Sequence, residues 1–446
     1  MNAAELAKML ESEKIKKLFG ELYGESVTVY ETQKKRYCDL LDDFTKRFGS
    51  PEGVRLFSSP GRSEIGGNHT DHNHGKVLAA SIQLDCIGAA APSADNKIHI
   101  KDSTYNEDYE VDLSELGDGN HVGPQKGSRA LIRGICAGFK KNGFKTGGFS
   151  ASFTSHVIPA SGVSSSASFE IIIAYILNRL YNDGKIPIEK MAAAGQFAEN
   201  VYWGKASGLL DQMACAEGGL VAMDFEDPSS PVVEKIPFDF ATKKYRVVLV
   251  NTGGNHANLS DEYSAIPSEM KQVARFFGKE VLRGISAEEI AGKLPEIRAA
   301  CGDRAVLRAF HFEGENSRVD EEIAALKSNN FPLFLKHITE SGNSSWKWLQ
   351  NTYVPSGRPV EQGVSIGLAL TEIFIHRRGL DTGPQGPRAA CRVHGGGFAG
   401  VIQAFLPEEE VCAYEEWINR SMPNKGDKRA VFVMSIRPYG VIEVEA

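Results

Sequence analysis

One stretch of the chain limits the fold more than any other: a strand, a loop of small residues and an apolar helix follow one another without a break. The strand pattern runs from Gly148 to Ile158, the loop reads Pro159-Ala-Ser-Gly-Val-Ser-Ser-Ser-Ala-Ser, and the helix is predicted over about residues 167–181. Free backbone N–H groups at a helix start favour anions, and small residues let a phosphate approach the backbone. The loop lacks the GxxxxGK[ST] pattern, so a phosphate site here is not of the Walker A type. The alternative is a flexible serine linker, although a linker does not run directly into an apolar helix.

The rest of the chain interleaves strands and helices without a regular βαβ repeat, which favours the α+β class. A length of 446 residues is too great for one core and indicates two domains. The first 50 or so residues carry Glu and Lys at helical spacing and predict two amphipathic helices around Gly20–Gly24. Strand patterns begin at Val54, where the character of the sequence changes.

Charge and apolar content exclude several classes of protein. The net charge is −7, so the chain has no overall positive charge for nucleic acid. Its seven cysteines form no CxxC pair, which is typical of free thiols in a reducing compartment. The strongest apolar run, Phe169 to Leu177, is too short to span a bilayer. We therefore expect a cytoplasmic protein without nucleic-acid or membrane partners. The sequence does not determine the oligomeric state and is compatible with a monomer.

A second segment is rich in short polar side chains: Pro60-Gly-Arg-Ser-Glu-Ile-Gly-Gly-Asn-His-Thr-Asp-His-Asn-His-Gly. The pattern from Arg55 onward predicts a strand followed by a turn-rich loop, and the loop carries this segment. Directional hydrogen bonds from Asn68, His69 and Asp71 suit a ligand with many hydroxyl groups, and Arg62 suits phosphate oxygens. Two other interpretations remain open from the residues alone, a solvated polar loop and a metal site. The metal site would use His69, Asp71, His72 and His74.

A third segment, Arg392-Val-His-Gly-Gly-Gly-Phe-Ala-Gly, lies between two strand patterns. Three successive glycines indicate unusual dihedral angles or a close approach of the backbone to a ligand. A tight structural turn explains them equally well. Between the second and third segments, a predicted helix over about residues 187–203 is followed by Gly208-Leu-Leu-Asp-Gln.

In order and spacing, these segments resemble the motifs of the GHMP kinases, and most closely those of the galactokinases. The family's Pro-Gly-Arg and Gly-Glu-His-Thr-Asp-Tyr-Asn are similar to residues 60–62 and 67–73, and its Gly-Leu-Ser-Ser-Ser-Ala is similar to residues 162–167. Its Gly-Gly-Gly-Phe-Gly-Gly is similar to residues 395–400. Gly208-Leu-Leu-Asp-Gln resembles the segment of the catalytic aspartate, and Ser260-Asp-Glu-Tyr a sugar-contacting stretch. The resemblance extends from about residue 54 to the C-terminus, and it reduces the metal site to a minor alternative.

The resemblance implies an α+β, two-domain GHMP kinase fold with the active site in the cleft between the domains. A helical extension would occupy residues 1–50, the N-terminal domain residues 51–215 and the C-terminal domain residues 216–446. The implied reaction transfers the γ-phosphate of ATP to the C1 hydroxyl of galactose, with Mg²⁺ as cofactor, and gives galactose 1-phosphate and ADP.

The resemblance also implies roles for individual residues. Asp211 and Arg62 would be catalytic, and Ser166 and Glu199 would bind Mg²⁺. The sugar would be bound by Asn68, His69, Thr70, Asp71, Gly208 and Tyr263. The nucleotide would be bound by Ser161, Gly162, Val163, Ser164, Ser165, Ser166, Ala167, Gly395, Gly396 and Gly397.

The chain departs from the family pattern at four places. Asn68 replaces a glutamate, His72 a tyrosine and Ala399 a glycine, and the approach to the serines is one residue short. The first change leaves the identity of the sugar open among galactose, N-acetylgalactosamine, arabinose and galacturonate. Two alternatives of other classes remain: a galactose sensor without turnover, and a metal hydrolase that uses the histidines.

Overall fold

The computed structural model describes residues 1–116, 127–157, 162–205, 207–253, 259–354, 361–422 and 430–445. Strands in these ranges form two sheets. The strands are β1 (Arg55–Gly66), β2 (Lys76–Pro92), β3 (Lys97–Asp102), β4 (Glu107–Asp112), β5 (Phe149–Ser155), β6 (Leu220–Asp224), β7 (Val232–Ile236), β8 (Tyr245–Asn251), β9 (Ala390–Val393), β10 (Val401–Pro407), β11 (Val431–Met434) and β12 (Ile442–Val444).

The first sheet has the strand order β12-β1-β2-β5-β3-β4, and β6 pairs with β2 and with β7. The second sheet has the order β11-β8-β10-β9. Neighbouring strands are antiparallel except for β3 and β5, which are parallel. The domain division at residue 215 stays a prediction; β6, β7 and β12 follow it in sequence and hydrogen-bond within the first sheet.

Helices surround both sheets, so the predicted α+β class is confirmed. They are α1 (Ala3–Met9), α2 (Glu13–Tyr23), α3 (Val27–Phe48), α4 (Ser128–Lys141), α5 (Ser165–Tyr181), α6 (Ile188–Phe197), α7 (Leu210–Glu217), α8 (Ser260–Phe276), α9 (Ala287–Gly292), α10 (Leu294–Cys301), α11 (Asp303–Lys327), α12 (Phe331–Ser344), α13 (Gly363–Arg377) and α14 (Glu408–Ser421). Two helices continue as π-helical turns, α6 into Ala198–Trp203 and α12 into Ser345–Leu349. Within the described ranges, every helix is too short or too polar to span a lipid bilayer.

The N-terminal extension contains three helices, so the prediction of two was wrong in number. The additional break lies at Ser12, whose hydroxyl accepts a hydrogen bond from the backbone of Ile15 and caps α2. Gly20 lies inside α2, and the helix ends at Gly24, which has φ 110°. Charge spacing alone could not locate a cap that a single serine provides.

The extension covers one face of the first sheet. Leu56, Ile87 and Ala89 belong to the same buried apolar cluster as α1, α2 and α3. The adjacent residues Phe57 and Cys86 belong to the cluster on the opposite face, with α4, α5 and α6. This alternation is the two-residue period of a strand that is buried on both sides. The extension is therefore part of the core of the first sheet.

A buried carboxylate fastens the extension to the sheet. Asp85 of β2 accepts hydrogen bonds from Arg36 of α3 at 2.6 Å, from Tyr23 of α2 at 2.6 Å and from Ser58 of β1 at 2.5 Å. Arg437, between β11 and β12, places its Nη1 3.3 Å from Oδ2 of the same carboxylate. Burial raises the pKa of Asp85, but the two arginines and the hydrogen bonds outweigh burial and hold the pKa below its usual value.

The two sheets meet where β1 and β9 come together. Arg392 of β9 is fully buried and donates to the carbonyl of Ile65 at 2.6 Å and to the carboxylate of Glu64 at 2.8 Å. This contact brings the glycine-rich turn after β9 (residues 394–400) next to the polar loop after β1 (residues 67–75). The motif segments at residues 60–75 and 392–400 thus lie side by side where the two sheets meet.

Candidate active site

The small-residue loop that leads into α5 is called the phosphate loop below, and its described part is residues 162–164. It has the backbone of a tight anion-binding turn. Gly162 has φ 72° and Ser164 has φ 60°, so both lie in the left-handed region. Serine is uncommon there, and its presence indicates a conformation that the surrounding structure imposes. Because α5 begins at Ser165, the free N–H groups of its first turn face this loop. The local structure is therefore suited to a phosphate group.

The other predicted residues of this loop differ in exposure. Val163 is fully buried, and its carbonyl accepts the backbone N–H of Arg62 at 3.1 Å, which holds the loop against β1. Ala167 is also fully buried. Ser165 and Ser166 are half-buried and can still contact a ligand. Ser161 lies outside the described residues.

Arg62 and Asp211 form an ion pair directly beside the loop. Nε of Arg62 donates to Oδ1 of Asp211 at 2.8 Å, and Nη2 lies 2.7 Å from the same oxygen. The hydroxyl of Ser164 donates to Oδ2 of Asp211 at 2.7 Å. Arg62 also donates to the carbonyl of Gly162. One arginine therefore joins β1, α7 and the phosphate loop.

The surroundings keep Asp211 ionised. Burial raises its pKa, but the charges of Arg62 and Lys205, together with the hydrogen bond from Ser164, outweigh burial and hold the pKa below its usual value. The side chain of Asp211 is 29% exposed, whereas that of Arg62 is 7% exposed. The carboxylate can thus be reached from the cleft while its partner stays buried.

Asp71 is a second carboxylate near Asp211, and its pKa is shifted in the opposite direction. Burial and the negative charges of Asp211 and Glu64 raise the pKa of Asp71 to about 7. Gly208 lies against Asp71, since a Cβ atom at position 208 would lie 1.6 Å from its Oδ2. Carboxylates with opposite shifts are a recurrent feature of acid–base sites.

His69 and Thr70 occupy different positions in the polar loop. His69 has φ 59°, and its Nε2 lies 3.1 Å from the carbonyl of Gly396. Burial lowers the pKa of His69 to about 4, against the opposing effect of that carbonyl. Thr70 is fully buried and donates to the carbonyls of Gly67 and Lys76. Thr70 therefore stabilises the loop, and its contact with a sugar stays a prediction.

Asn68 is fully buried, and protein groups already occupy its side chain. Its amide nitrogen donates to Glu64 at 2.8 Å and to the carbonyl of Gly395 at 2.7 Å. Its amide oxygen accepts from Asn351 at 2.9 Å and from Ser345 at 3.2 Å. These four contacts use the usual hydrogen-bonding capacity of an amide. Asn68 therefore joins the loop after β1 to the turn after β9, and its direct contact with a sugar stays a prediction.

The glycine-rich turn is packed too closely for larger residues. A Cβ atom on Gly397 would lie 2.1 Å from the carbonyl oxygen of Asn351, and one on Gly396 would lie 2.5 Å from the ring of Tyr263. The hydroxyl of Tyr263 donates to the carbonyl of Gly397 at 2.9 Å. Gly395 has φ 64° and faces Gly162 of the phosphate loop. The turn thus lies between Tyr263 and the anion site.

The residues predicted for Mg²⁺ lie together. The hydroxyl of Ser166 is 2.9 Å from Oε1 of Glu199, which also accepts from Lys205 at 2.7 Å. A hydroxyl and a carboxylate are oxygen ligands that suit Mg²⁺. Behind them, Gln212 donates to Glu170 at 3.0 Å, and Oε1 of Glu170 is buried without a partner in the described chain. The residues present therefore fit a cation beside the phosphate loop.

The histidines of the polar loop do not converge on a common point. In the part of the chain that the structure describes, no three His, Cys, Asp or Glu side chains are placed to hold a metal ion. His69 and His72 have ring centroids 5.6 Å apart, and Asn73 contacts Nδ1 of His72 at 2.8 Å. The geometry gives no support to the metal-hydrolase alternative.

Two family sequence models match the segments that carry this site. The galactokinase galactose-binding signature matches residues 42–92, and the N-terminal domain of the GHMP kinases matches residues 130–219. In these two segments the chain is similar to the GHMP kinases. The first match includes Arg62 and the polar loop, and the second includes the phosphate loop, Glu199 and Asp211.

Two galactokinases are similar to this chain over most of its length. A galactokinase of Clostridium tetani is 24% identical over 86% of this chain and 91% of its own length. A galactokinase of Actinobacillus pleuropneumoniae is 28% identical over 82% of this chain and 89% of its own. The crystal structure of Lactococcus lactis galactokinase complexed with galactose matches with a TM-score of 0.73 at 23% identity, covering 90% of this chain and 98% of that one. The predicted GHMP kinase fold is confirmed.

Sequence reasoning missed several residues of this site. Lys205 contacts Glu199, Glu170 lies behind it, and His394 lies between the phosphate loop and β1. Asn351 joins the glycine-rich turn to Asn68. Of these, His394 alone stood in a segment that was singled out, immediately before the three glycines. Tertiary packing brings the others to the site.

Proposed function

We propose that this chain is a galactokinase, which transfers the γ-phosphoryl group of ATP to the C1 hydroxyl of galactose. The observation that carries the proposal is the ion pair of Arg62 and Asp211 at the phosphate loop, with Asp71 beside it. A kinase needs an ionised carboxylate next to the attacking hydroxyl and a cation next to the transferred phosphate. The galactose-binding signature over residues 42–92 supports galactose as the acceptor.

Asp211 acts on the attacking hydroxyl. The C1 oxygen of the sugar forms a bond to the γ-phosphorus, and the bond from that phosphorus to the β–γ bridging oxygen breaks, which releases ADP. The proton of the C1 hydroxyl passes to the carboxylate of Asp211. Arg62 and Ser164 hold this carboxylate in one orientation and favour its ionised form.

Arg62 and the phosphate loop act on the transferred group. The transfer places negative charge on the phosphoryl oxygens, and a fixed guanidinium with helix N–H groups stabilises that charge without reorganising. Because Arg62 is bound to both Asp211 and Gly162, it fixes the distance between the attacking and the transferred group. Catalysis is then mostly positioning and electrostatic stabilisation.

The remaining sugar hydroxyls are assigned to the loop after β1. Asp71 and His69 are half-buried and can contact a sugar, whereas Asn68 and Thr70 are fully buried. The backbone of Gly208 and the ring of Tyr263 complete the walls on the side of α7 and α8. Ser166 and Glu199 would hold Mg²⁺, which supplies charge neutralisation for the ATP phosphates.

The test is ADP release from MgATP with purified protein and a panel of acceptors. The panel contains galactose, glucose, N-acetylgalactosamine, arabinose, galacturonate and a control without sugar. Asp211→Asn is the matched inactive variant, because asparagine keeps the size of the side chain and an oxygen for Arg62. We expect turnover with galactose, little with the other sugars and none in the variant.

The other outcomes identify which part of the proposal fails. Turnover with a different sugar alone would keep the reaction and change the acceptor, which the Asn68 departure would then explain. Galactose binding without ADP release would identify a sensor on this scaffold. Neither binding nor turnover would contradict the proposal entirely.

A further inference from the structure

His394 is a buried histidine between the two halves of the site, and the roles described so far leave it unused. It follows β9 directly, precedes the three glycines and is 2% exposed. Its ring lies between β1 and the phosphate loop. Burial, together with the positive charges of Arg62 and Arg392, holds the pKa of His394 well below its usual value. The ring is therefore neutral at physiological pH.

The tautomer of the ring follows from its contacts. Nε2 of His394 lies 3.3 Å from the backbone nitrogen of Glu64, which can only donate. Nε2 must therefore accept, and the hydroxyl of Ser63, 3.0 Å away, can share the same lone pair as a second donor. The Ser63 hydroxyl itself receives a hydrogen bond from Gln403 at 2.7 Å. In a neutral imidazole, the proton is then on Nδ1.

The protonated nitrogen points at the phosphate loop. A Cβ atom on Gly162 would lie 3.1 Å from Nδ1, and no described residue accepts a hydrogen bond from this atom. A buried donor without an acceptor is rare in proteins. The same Gly162 offers its carbonyl to Arg62, which holds Asp211. The unpaired N–H thus lies next to Gly162, the loop residue whose carbonyl Arg62 contacts.

We propose that His394 donates a hydrogen bond from Nδ1 to the transferring γ-phosphoryl group of ATP. The proposal rests on the proposed kinase function, since that function supplies the phosphate. A phosphoryl oxygen near Gly162 would give the N–H the acceptor that it lacks. The fixed donor, Arg62 and the first turn of α5 would then surround the group as its charge develops.

Two substitutions separate this role from a structural one. The amide of asparagine can place an N–H near the position of Nδ1, whereas the amide of glutamine reaches the position of Nε2. His394→Asn therefore keeps a donor toward the phosphate, and His394→Gln keeps an acceptor for the N–H of Glu64. We expect His394→Gln to lower kcat by about 10²-fold, the usual loss for one such donor, and His394→Asn to lower it much less.

Nucleotide binding gives a second readout that does not need turnover. Calorimetry with the magnesium complexes of ADP and of the non-hydrolysable ATP analogue AMPPNP compares a ligand without the γ-phosphate to one with it. We expect His394→Gln to weaken AMPPNP binding several-fold and to leave ADP binding unchanged. Equal effects on the two nucleotides would overturn the contact with the γ-phosphate.

The opposite order of the variants would assign His394 to structure alone. If His394→Gln keeps full kcat while His394→Asn loses it, the bond to Glu64 is what matters, and the proposal is wrong. Full activity in both variants would also overturn it. If wild-type protein turns over no sugar, the proposed function fails first, and the comparison of AMPPNP with ADP still tests the contact.

A wild-type measurement covers the case in which the variants do not fold. With ¹⁵N-labelled histidine, the spectrum of the free protein should show a neutral ring protonated at Nδ1. Addition of magnesium AMPPNP should shift that proton downfield, and magnesium ADP should not. A ring protonated at Nε2, or a signal unchanged by AMPPNP, would contradict the proposal.

Discussion

The Cα atom of Gly208 lies against the carboxylate of Asp71, so that a Cβ atom at position 208 would lie 1.6 Å from Oδ2 of Asp71. The segment that leads into α7 therefore limits where the carboxylate of Asp71 can lie. Gly208→Ala must therefore displace the carboxylate. We expect the KM for galactose to rise about tenfold to a hundredfold, because small displacements of positioning groups have effects of this size.

The matched control for Gly208 is Gly292→Ala at the end of α9, where a Cβ atom would meet nothing within 4 Å. Steady-state kinetics of both variants, with galactose and ATP varied in turn, make the comparison. The KM for ATP should stay within about twofold in both. A Gly208→Ala variant with an unchanged KM for galactose would place the sugar away from Asp71.

The raised pKa of Asp71 predicts a specific dependence of stability on pH. The unfolded carboxyl has its ordinary pKa of about 4, and the folded one has a pKa of about 7. The folded state thus binds more protons between these values, so the contribution of Asp71 to stability is full below pH 4 and is lost as the pH rises through 7. Asp71→Asn has no titrating carboxyl at this position, so its stability does not fall with pH for this reason.

We therefore expect the Tm of Asp71→Asn, measured without ligands, to increase relative to wild type by about 1–2 °C or more between pH 5 and pH 8. Thermal unfolding of both proteins across this range provides the measurement. A constant difference in Tm across the range would show that Asp71 has an ordinary pKa in the folded protein.

Substitution of Asp211 should abolish phosphoryl transfer and leave sugar binding in place. Asp211→Asn removes the acceptor of the C1 proton but keeps an oxygen for Arg62, while its amide NH2 replaces the oxygen that accepts from Ser164. We expect kcat to fall by about 10³-fold or more, with galactose affinity within a few-fold of wild type. Glu217→Gln is the control, since Glu217 lies on the same helix and pairs with Lys235 instead. Activity above a few per cent in Asp211→Asn would remove Asp211 from the catalytic role.

The N-terminal extension should be a large contributor to stability through Asp85. Asp85→Ala leaves the buried side chains of Arg36 and Arg437 without their shared carboxylate. Removing one partner of a buried ion pair costs about 3–5 kcal/mol of unfolding free energy. Asp39→Ala is the control, because Asp39 pairs with Lys35 on the exposed face of the same α3 and should cost less than about 1 kcal/mol.

Urea unfolding of both variants measures these differences. Similar losses of unfolding free energy in Asp85→Ala and Asp39→Ala would mean that the extension is held by apolar contacts alone. Truncation of residues 1–50 should be destabilising in either case, because it exposes the apolar face of the first sheet that α1, α2 and α3 cover.

Hydrophobic periodicity predicted the elements of the fold more reliably than their ends. The helix predicted over about residues 187–203 is observed as α6 and the π-helical turn that continues it to Trp203. The helix expected from about residue 167 begins at Ser165, because the two serines of its first turn interrupt the apolar pattern without interrupting the helix. The segment Pro60–Gly66 was expected to be a loop and is strand, since pairing with β2 tolerates its turn residues through bulges near Pro60 and Glu64.

The site was predictable where a motif carried it and not elsewhere. The serines, Arg62 and Asp211 stand in motifs, and the structure brings them together. Lys205 and Glu170 have no motif, because their place at the site depends on how α5 and the turn after α6 pack. Asn68 stands in a motif, yet its four contacts with protein groups follow from the approach of two segments that the sequence separates widely.

The most direct test of the central claim is the identity of the phosphorylated product. Wild-type protein is incubated with MgATP and galactose, and the product is examined by ³¹P NMR. Transfer to the C1 hydroxyl predicts a new phosphomonoester signal that couples to the anomeric proton and grows with the signals of ADP. A phosphomonoester coupled to other sugar protons, or ATP that stays intact in the presence of galactose, would contradict the account.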